Sequence, residues 1–341
     1  MRLFVSFYSG PLIKWLSVGK YLLVGSLLAM LGTVGFAVTP SWELLVVAAM
    51  IMGVGNSALI NGLNIFVASN YPASRMNWLH ASFGFGATLG PILITAVVLD
   101  LGSSWRMGYG IMAGLMFALA VLIVLTVRQW QLPSSLPIEK PKPSGNDHRS
   151  QSLVGWLGIG VMFVSAGIEI TTGQLSNNLF VDGRGFDPRM VATWISLYWL
   201  SYTAGRLVTG IVIDRVSHNL FLRVSMFLAI LGAVLIWLNP SQILNFIGLA
   251  IIGFAVAPVA PTIMGDTPRR VGVDRAPNMI GYQNVGAGLG IALFPSLAGV
   301  FAEVIGLEVI GLFLIIITMM MFIVHELLNH QESLEVLDDT V

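Results

Sequence analysis

The chain has 341 residues, of which 56% are hydrophobic and only 10% are charged, and its mean hydropathy is +0.84. This composition leaves too little polar surface to cover a soluble globule of that length, so it predicts a protein of the lipid bilayer. The formal net charge is zero, which removes any argument for nucleic-acid binding from overall basicity. The chain has no cysteine, so disulfides, thiolate metal sites and thiol nucleophiles are excluded.

The N-terminal stretch MRLFVSFYSGPLIKW begins like a signal peptide, with Arg2 ahead of an apolar segment. Gly10, Pro11 and Lys14 interrupt that segment, and no cleavage site of small residues follows it. We therefore interpret the apolar piece 3–13 as part of a membrane helix.

Ten further segments are apolar over about 20 residues, the length that an α-helix needs to cross the hydrocarbon core. We predict membrane spans at 21–39, 44–66, 79–99, 107–127, 153–180, 190–213, 221–238, 243–265, 280–302 and 305–324. Because lipid offers no water to backbone groups, these spans must be helices, and the alternation of a barrel strand is absent. The predicted fold class is an all-α polytopic membrane protein.

One long polar stretch, 128–152, separates the predicted spans into two sets. It is rich in Pro and Ser and cannot bury a core, so we predict a linker between an N-terminal bundle, 1–127, and a C-terminal bundle, 153–325. The last residues, 326–341, are acidic, and we expect them to form a solvated tail.

Positive charges fall mainly on one side of the predicted spans. One set of loops carries Lys14, Lys20, Arg75, Arg128, Lys140, Lys142, Arg149, Arg215, Arg223, Arg269, Arg270 and Arg275. The alternate set carries only Arg106, Arg184 and Arg189. By the positive-inside rule the first set is cytoplasmic, which places the linker and the C-terminus inside a plasma or inner membrane.

Residues 200 positions apart match without a gap over much of the chain. The matched pairs include Gly10 and Gly210, Pro40 and Pro240, and Arg75 and Arg275. The chain therefore consists of two copies of one unit. Much more chain precedes Gly210 in its copy than precedes Gly10, so we expect the first copy to lack roughly fifty residues, a first helix and part of a second, of a parallel six-plus-six repeat.

Several motifs resemble those of the major facilitator superfamily. The segment GRLVTGIVIDR, 205–215, is similar to the superfamily's cytoplasmic signature, in which glycines allow close helix packing and an Asp-Arg pair sits in a loop. The segments LHASFGFGATLGP at 79–91, AGIE at 166–169, TPRR at 267–270 and IGYQ at 280–283 resemble the branch of fucose:proton symporters and bypass-of-stop-codon-like transporters. The resemblance covers the whole chain.

This resemblance implies a secondary transporter in which two helix bundles rock about a site near the bilayer midplane. Many relatives of the branch move sugars with protons, using intramembrane acids in their first and fourth helices. Here the first helix is not seen, and the span 44–66 offers Asn56, Asn61 and Asn64 instead. These amides suit either sugar hydroxyls or neighbouring helices, and both interpretations stay open.

Glu169 is the residue that points most directly to function. A carboxylate inside a membrane span is costly unless it faces protein or water, so it marks a solute pathway or proton site, or else a structural carboxyl bonded to other helices. It belongs to a polar stripe at helical spacing. The stripe consists of Ser165, Glu169, Thr172 and Ser176, and Gln174 and Asn177 extend it toward the outer end.

Other candidates line the predicted pathway. Tyr198 and Tyr202, four residues apart and deep in their span, could stack on a sugar ring. His80 could shuttle protons or simply bond to a neighbour, and with Gln283 and Asn284 in the equivalent region of the second copy it suggests an inner gate.

A cytoplasmic latch that holds one access state is predicted from the superfamily-like signature. It consists of Gly205, Arg206, Gly210, Asp214 and Arg215. We assign these residues to packing and charge contacts, and not to the solute.

The best interpretation is a proton-coupled or facilitative transporter of a small polar solute, sugar-like by resemblance. The alternative is a transport-incompetent fragment, or a sensor or binding protein, on a transporter scaffold. An enzyme is not expected, because no paired catalytic constellation appears in the form of a His-Glu metal motif, an Asp pair or an exposed Ser-His pair. We expect no cofactor, no metal and no nucleic-acid partner, and a monomer in the bilayer.

Overall fold

A computed structural model describes residues 2–95, 97, 102–133 and 147–338, and these ranges are almost entirely helical. The helices are α1 (Arg2–Leu16), α2 (Val18–Val38), α3 (Trp42–Asn70), α4 (Ala73–Thr95), α5 (Trp105–Thr126), α6 (Asp147–Asn177), α7 (Pro188–Val212), α8 (His218–Leu238), α9 (Gln242–Val256), α10 (Val259–Gly265), α11 (Thr267–Val271), α12 (Ala276–Ile305) and α13 (Val309–Asp338). No strand occurs in the ranges just given. The predicted all-α class is confirmed.

Eight helical segments of the described ranges are long and apolar enough to cross a membrane. They are Val18–Val38, Trp42–Asn70, Trp105–Gln129, Leu153–Gly183, His218–Leu238, Gln242–Gly265, Ala276–Ile305 and Val309–Leu334. The two other predicted spans, 79–99 and 190–213, coincide with α4 and α7. Helix α7 is more polar because it carries Arg189 and Arg206, and the end of the span after α4 lies outside the described residues, apart from residue 97.

The internal repeat recurs in the helix boundaries. Helices α2 and α8 begin at Val18 and His218, and α3 and α9 begin at Trp42 and Gln242, so both pairs start 200 residues apart. The matched residues of the sequence therefore occupy matched places in the fold, as expected for two parallel copies.

Local sequence explains several helix ends. The carboxylate of Asp187 accepts a hydrogen bond from the Met190 amide at 2.9 Å, and Pro188 lies in the first turn of α7, as is typical of a helix start. Between α9 and α10 the helix is interrupted at Pro258, which has no N–H to donate. Prolines inside an apolar span, here Pro258 and Pro261, predict such an interruption.

Helix contacts divide the chain into two compact units. Unit 1 comprises Met1–Asn70, Phe85–Leu136 and Val273–Val285, and unit 2 comprises Tyr71–Gly84, Pro137–Gly272 and Gly286–Val341. Helices α4 and α12 are each divided between the two units. The first half of α4 belongs to unit 2, and the first part of α12 belongs to unit 1.

Within unit 1, α2 packs against α3 and α5, and α1 packs against α3. The approach of α2 to α3 is close because a Cβ atom at Gly55 would overlap the backbone of Ala29. In unit 2, α6 packs against α13, α8 packs against α9 and α13, and α7 packs against α9. Each unit therefore holds its own set of packed helices.

Helices α6 and α13 include residues of the predicted linker and tail. Residues 134–146 of the linker lie outside the described residues, and α6 already begins at Asp147. Helix α13 continues through the predicted tail as far as Asp338, and 339–341 lie outside the described residues. Two acids of that segment, Glu326 and Glu332, bind arginines of unit 2.

Candidate functional site

The predicted polar stripe of α6 faces the interior of unit 2. Ser165, Thr172 and Ser176 are buried, and Glu169 is half-buried among them. Helical spacing aligns these residues on one face, so the only carboxylate of the stripe lies between hydroxyl-bearing neighbours. The alternation of burial along α6 agrees with the spacing argument from sequence.

Two tyrosines of α7 bind Glu169. The Tyr202 hydroxyl donates to Glu169 Oε2 at 2.6 Å, and the Tyr198 hydroxyl donates to the Glu169 backbone carbonyl at 2.8 Å. Both rings are buried. The tyrosines hold the carboxylate in place, a role that the predicted sugar stacking did not include.

Arg206 joins the same group from one turn further along α7. Its Nη2 donates to the Tyr202 hydroxyl at 3.0 Å, and its guanidinium lies 4.3 Å from the centre of the Tyr202 ring. The hydroxyl of Tyr202 thus receives a hydrogen bond from Arg206 and gives one to Glu169. A continuous chain of hydrogen bonds connects the cation to the carboxylate.

His80, on the part of α4 that belongs to unit 2, contributes through its backbone. Its carbonyl accepts from Arg206 Nη1 at 3.2 Å. Its ring Nε2 is buried and has no hydrogen-bond partner among the described residues. His80 therefore lies beside the Arg206 end of the hydrogen-bond chain, and it does not share a unit with Gln283 or Asn284.

Helices α6 and α12 pack closely next to Glu169. A Cβ atom at Gly290 would overlap the Phe163 carbonyl, and one at Gly167 would overlap the Phe294 ring. Small residues at such positions let membrane helices approach each other closely. The backbone two residues before Glu169 is consequently fixed by its neighbour.

The C-terminal end of the stripe is exposed. Gln174 and Asn177 are exposed, near the point where α6 passes into the π-helical turn Asn178–Gly183. Single π turns inside helices are frequent at functional sites. The structure therefore separates the stripe into a buried part around Glu169 and an exposed polar end.

A second polar cluster lies in unit 1. Asn61 donates from Nδ2 to the Ser6 hydroxyl at 3.0 Å and to the Ser57 carbonyl at 2.7 Å, and its Oδ1 accepts from Asn284 Nδ2 at 2.8 Å. Three helices, α1, α3 and α12, thus meet at one buried amide. Ser6 has no place among the sequence candidates because a lone serine in an apolar helix carries no distinctive signal.

The remaining amides differ in burial. Asn64 is buried, and its Nδ2 has no hydrogen-bond partner within the described ranges. Asn56 is half-buried, and Gln283 is buried in unit 1. An unpartnered buried amide is costly, so Asn64 is the best-placed donor of unit 1 for a polar ligand.

The signature residues around 205–215 contact different partners within unit 2. The carboxylate of Asp214 accepts from the Ser74 amide at 3.3 Å, at the N-terminus of α4. Gly210 accepts a hydrogen bond on its carbonyl from Trp78 Nε1 at 3.0 Å. Gly205 lies so close to the Phe254 carbonyl that a side chain would overlap it, while Arg215 is exposed. Arg206 bonds with Tyr202 and not with Asp214.

An ion network near the end of α10 was not found from sequence. His218 Nδ1 lies 2.9 Å from Asp266 Oδ1, and Arg270 Nε donates to Glu332 Oε1 at 2.5 Å. Burial raises the pKa of Asp266, but the hydrogen bond from His218 and the charge of Arg270 outweigh it and leave the pKa below its usual value. The TPRR segment was the one available signal, as two adjacent arginines after a span.

No group of three or more His, Cys, Asp or Glu residues that could hold a metal ion occurs in the described part of the chain. The two polar clusters present amides and hydroxyls for hydrogen bonding, and the cluster in unit 2 also presents the Glu169 carboxylate.

Comparison with known proteins places this architecture. The family model described as Major Facilitator Superfamily matches residues 2–264 and 157–333. The chain belongs to the major facilitator superfamily. Membership confirms the predicted class, a membrane transporter and not an enzyme.

A curated relative is the glucose/mannose transporter GlcP of Bacillus subtilis (strain 168). It is 25% identical over 273 residues, which cover 76% of this chain and 67% of that protein. The similarity extends over both copies of the repeat, because no single copy is that long.

Similar solved structures include the fucose:proton symporter FucP of E. coli, with a TM-score of 0.76 and 18% identity over 95% of this chain and 87% of that chain. FucP in the outward conformation gives a TM-score of 0.77 and 18% identity, covering 95% and 86%. The human organic anion transporter MFSD10 gives 0.75 and 17%, covering 95% and 80%. At such identities these structures share the fold with this chain, and nothing more follows from them.

Proposed function

We propose that this protein is a secondary active transporter that moves a sugar-like solute together with protons by alternating access. The observation that carries the proposal is Glu169, a half-buried carboxylate on a membrane helix that accepts a 2.6 Å hydrogen bond from Tyr202. Ionisable residues in membrane spans mark ion and substrate pathways by default. A carboxylate that alternates between charged and neutral forms supplies the proton step.

The sugar class is supported by relatives and by the chemistry of the polar groups. GlcP and FucP are named as transporters of glucose or mannose and of fucose. Amides both donate and accept hydrogen bonds, which suits the hydroxyl groups of a sugar. Asn61, Asn64 and Asn284 supply such amides in unit 1, and exposed Gln174 and Asn177 supply them in unit 2.

The positive-inside distribution of Lys and Arg supports a plasma or inner membrane location with the linker and the C-terminus in the cytoplasm. The Asp214 contact with the start of α4 and the Trp78 contact with Gly210 support a role for the signature residues in holding one access state.

Uptake by the reconstituted full chain tests the proposal. Purified protein in liposomes is given radiolabelled D-glucose, D-mannose or L-fucose, with and without an inward proton gradient. We expect gradient-driven accumulation of at least one sugar, abolished by a protonophore. Glu169→Gln should lower the accumulation by at least about tenfold, since the proton step is lost. Glu303→Gln, which changes an exposed carboxylate on α12, is the matched control and should transport normally.

Other outcomes have definite meanings. Accumulation by Glu169→Gln equal to that of the wild type contradicts the role of Glu169. Binding of a sugar without flux indicates a sensor or binding protein on the transporter scaffold.

A further inference from the structure

Arg206 is a buried cation whose immediate partners are all neutral. The residue is only 7% exposed. Its Nε atom donates to the Ala257 carbonyl at 3.4 Å, its Nη1 atom to the His80 carbonyl at 3.2 Å and its Nη2 atom to the Tyr202 hydroxyl at 3.0 Å. A buried charge of this kind is strongly destabilising unless a counter-charge compensates it.

The nearest counter-charge is the Glu169 carboxylate, which is separated from Arg206 by the Tyr202 hydroxyl. Within the described ranges no Asp or Glu forms a direct ion pair with Arg206. The Tyr202 hydroxyl accepts from Arg206 and donates to Glu169 Oε2, so it lies between the two charges. Hydrogen bonds in such a chain polarise one another, which strengthens the connection in a low dielectric.

We propose that Arg206 and Glu169 form an ion pair bridged by the Tyr202 hydroxyl, and that Arg206 is the positioning residue which converts proton uptake at Glu169 into a change of helix packing. This inference rests on the proposed function, because it assigns a mechanical consequence to the proton step.

The consequence follows from charge balance. When a proton binds the Glu169 carboxylate, the carboxyl becomes neutral and Arg206 loses its counter-charge. Its remaining bonds are to the backbone of α4, through His80, and to the break between α9 and α10, through Ala257. The polar and titratable groups beside Glu169 among the described residues are Tyr198, Tyr202 and Arg206 of α7 and Thr172 of α6. The His80 carbonyl of α4 lies beside Arg206. Proton uptake therefore loosens the site where α4 and α9 contact α7.

A melting-temperature cycle in detergent tests the bridged pair without any solute. In the wild-type background Arg206→Gln should lower the melting temperature by roughly 2–4 °C or more, because Glu169 loses its partner. In the Glu169→Gln background the same change should raise it, because an uncompensated buried cation is removed. Arg189→Gln, an exposed arginine at the other end of α7, should have the same small effect in both backgrounds.

Two further variants keep the test decisive. Arg206→Lys retains the charge, so it should not raise the melting temperature of Glu169→Gln. If the Arg206→Gln protein does not fold, Arg206→Lys replaces it. Tyr198→Phe removes a bond to the Glu169 backbone only, so its effect should be equal in both backgrounds.

Transport gives a readout that a merely structural role would not move. Tyr202→Phe keeps both charges and removes the bridge. With the sugar identified by the uptake assay, it should lose proton-driven accumulation while counterflow exchange stays within about twofold of the wild type.

The outcomes separate the two proposals. If Arg206→Gln lowers the melting temperature by the same amount in both backgrounds, the bridged pair is overturned. Normal proton-driven accumulation by Tyr202→Phe overturns the coupling role. Absence of any sugar uptake by the wild type overturns the proposed function, and the melting cycle then decides the pair on its own.

Discussion

Arg184 binds both carboxylate oxygens of Glu308, at 2.8 and 2.7 Å, across 124 residues of the chain. The same guanidinium donates to Asn245 Oδ1 at 3.0 Å and to the Ile236 carbonyl at 2.8 Å. One side chain therefore ties together α8, α9 and the turn before α13 within unit 2. The Arg184 side chain is 3% exposed and that of Glu308 is 59% exposed, so the pair joins a buried cation to a solvated acid.

This pair predicts an acid-dependent loss of stability. The hydrogen bond from Arg184 holds the pKa of Glu308 below its usual value. A carboxyl whose folded pKa is depressed stabilises the protein above its unfolded pKa, and that contribution disappears as the pH falls through the folded pKa. Near neutral pH we expect the wild type to be more stable than Glu308→Gln. The difference in the free energy of unfolding should be less than about 1 kcal/mol, because the acid is so exposed.

The measurement is the melting temperature of both proteins between about pH 7 and pH 3, the range in which carboxylates titrate. The difference between them should shrink toward zero in acid. Glu303→Gln, which changes an acid without an ion-pair partner in the described ranges, should show no such trend. A difference that grows as the pH falls contradicts the prediction.

Two ion pairs of α13 should differ in strength. Arg270 and Glu332 are 3% and 15% exposed, whereas Arg223 and Glu326 are largely solvated. Glu332→Gln removes the hydrogen-bonded partner of a buried arginine but leaves Asp266 3.7 Å from it, so the change should cost about 2 kcal/mol, and Glu326→Gln should cost less than about 1 kcal/mol. Denaturant unfolding in detergent measures both. Equal losses would show that the end of α13 is solvated after all.

The amide contact of unit 1 should appear as energetic coupling. Asn61 and Asn284 share one hydrogen bond of 2.8 Å, and such bonds between membrane helices contribute roughly 0.6–2 kcal/mol. A double-mutant cycle of Asn61→Leu and Asn284→Leu should give a coupling of that size. The cycle of Asn56→Leu with Asn284→Leu is the control and should be additive. Additivity in both cycles contradicts the contact.

A glycine substitution should separate close packing from helix propensity. A Cβ atom at Gly210 would lie 2.5 Å from Trp78 Cδ1 and Nε1, whereas nothing lies within 4 Å of one at Gly299. Gly210→Ala should therefore destabilise by displacing Trp78. Gly299→Ala should be neutral or stabilise by up to about 1 kcal/mol, because alanine favours the helix. Melting temperatures of the two variants, with Trp78→Phe as reference, measure the contrast.

Much of the fold follows from one-dimensional patterns. Apolar length predicts the membrane helices, and Pro258 predicts the interruption between α9 and α10. The stripe through Glu169 can also be predicted from sequence, because helical spacing alone decides which residues of α6 share a face. Such features depend on neighbours within about four residues or on composition.

The pairings between helices could not be predicted in the same way. Arg206 lies next to Gly205 and near Asp214 in sequence, so the sequence pattern groups it with them. In the structure, the helical turn of α7 directs it toward Tyr202 and Glu169. Asn61 and Asn284 are 223 residues apart. Such contacts depend on how helices dock, which periodicity does not encode.

The exchange of helix ends between the two units has a consequence for dividing the polypeptide. Unit 1 includes Val273–Val285, and unit 2 includes Tyr71–Gly84, so each unit draws residues from both sides of the linker. A protease cut within 128–152 would therefore leave each unit composed of segments from both fragments. Halves produced from separate genes would each lack a helical segment of their own unit, and each would become complete only when both are made in the same membrane.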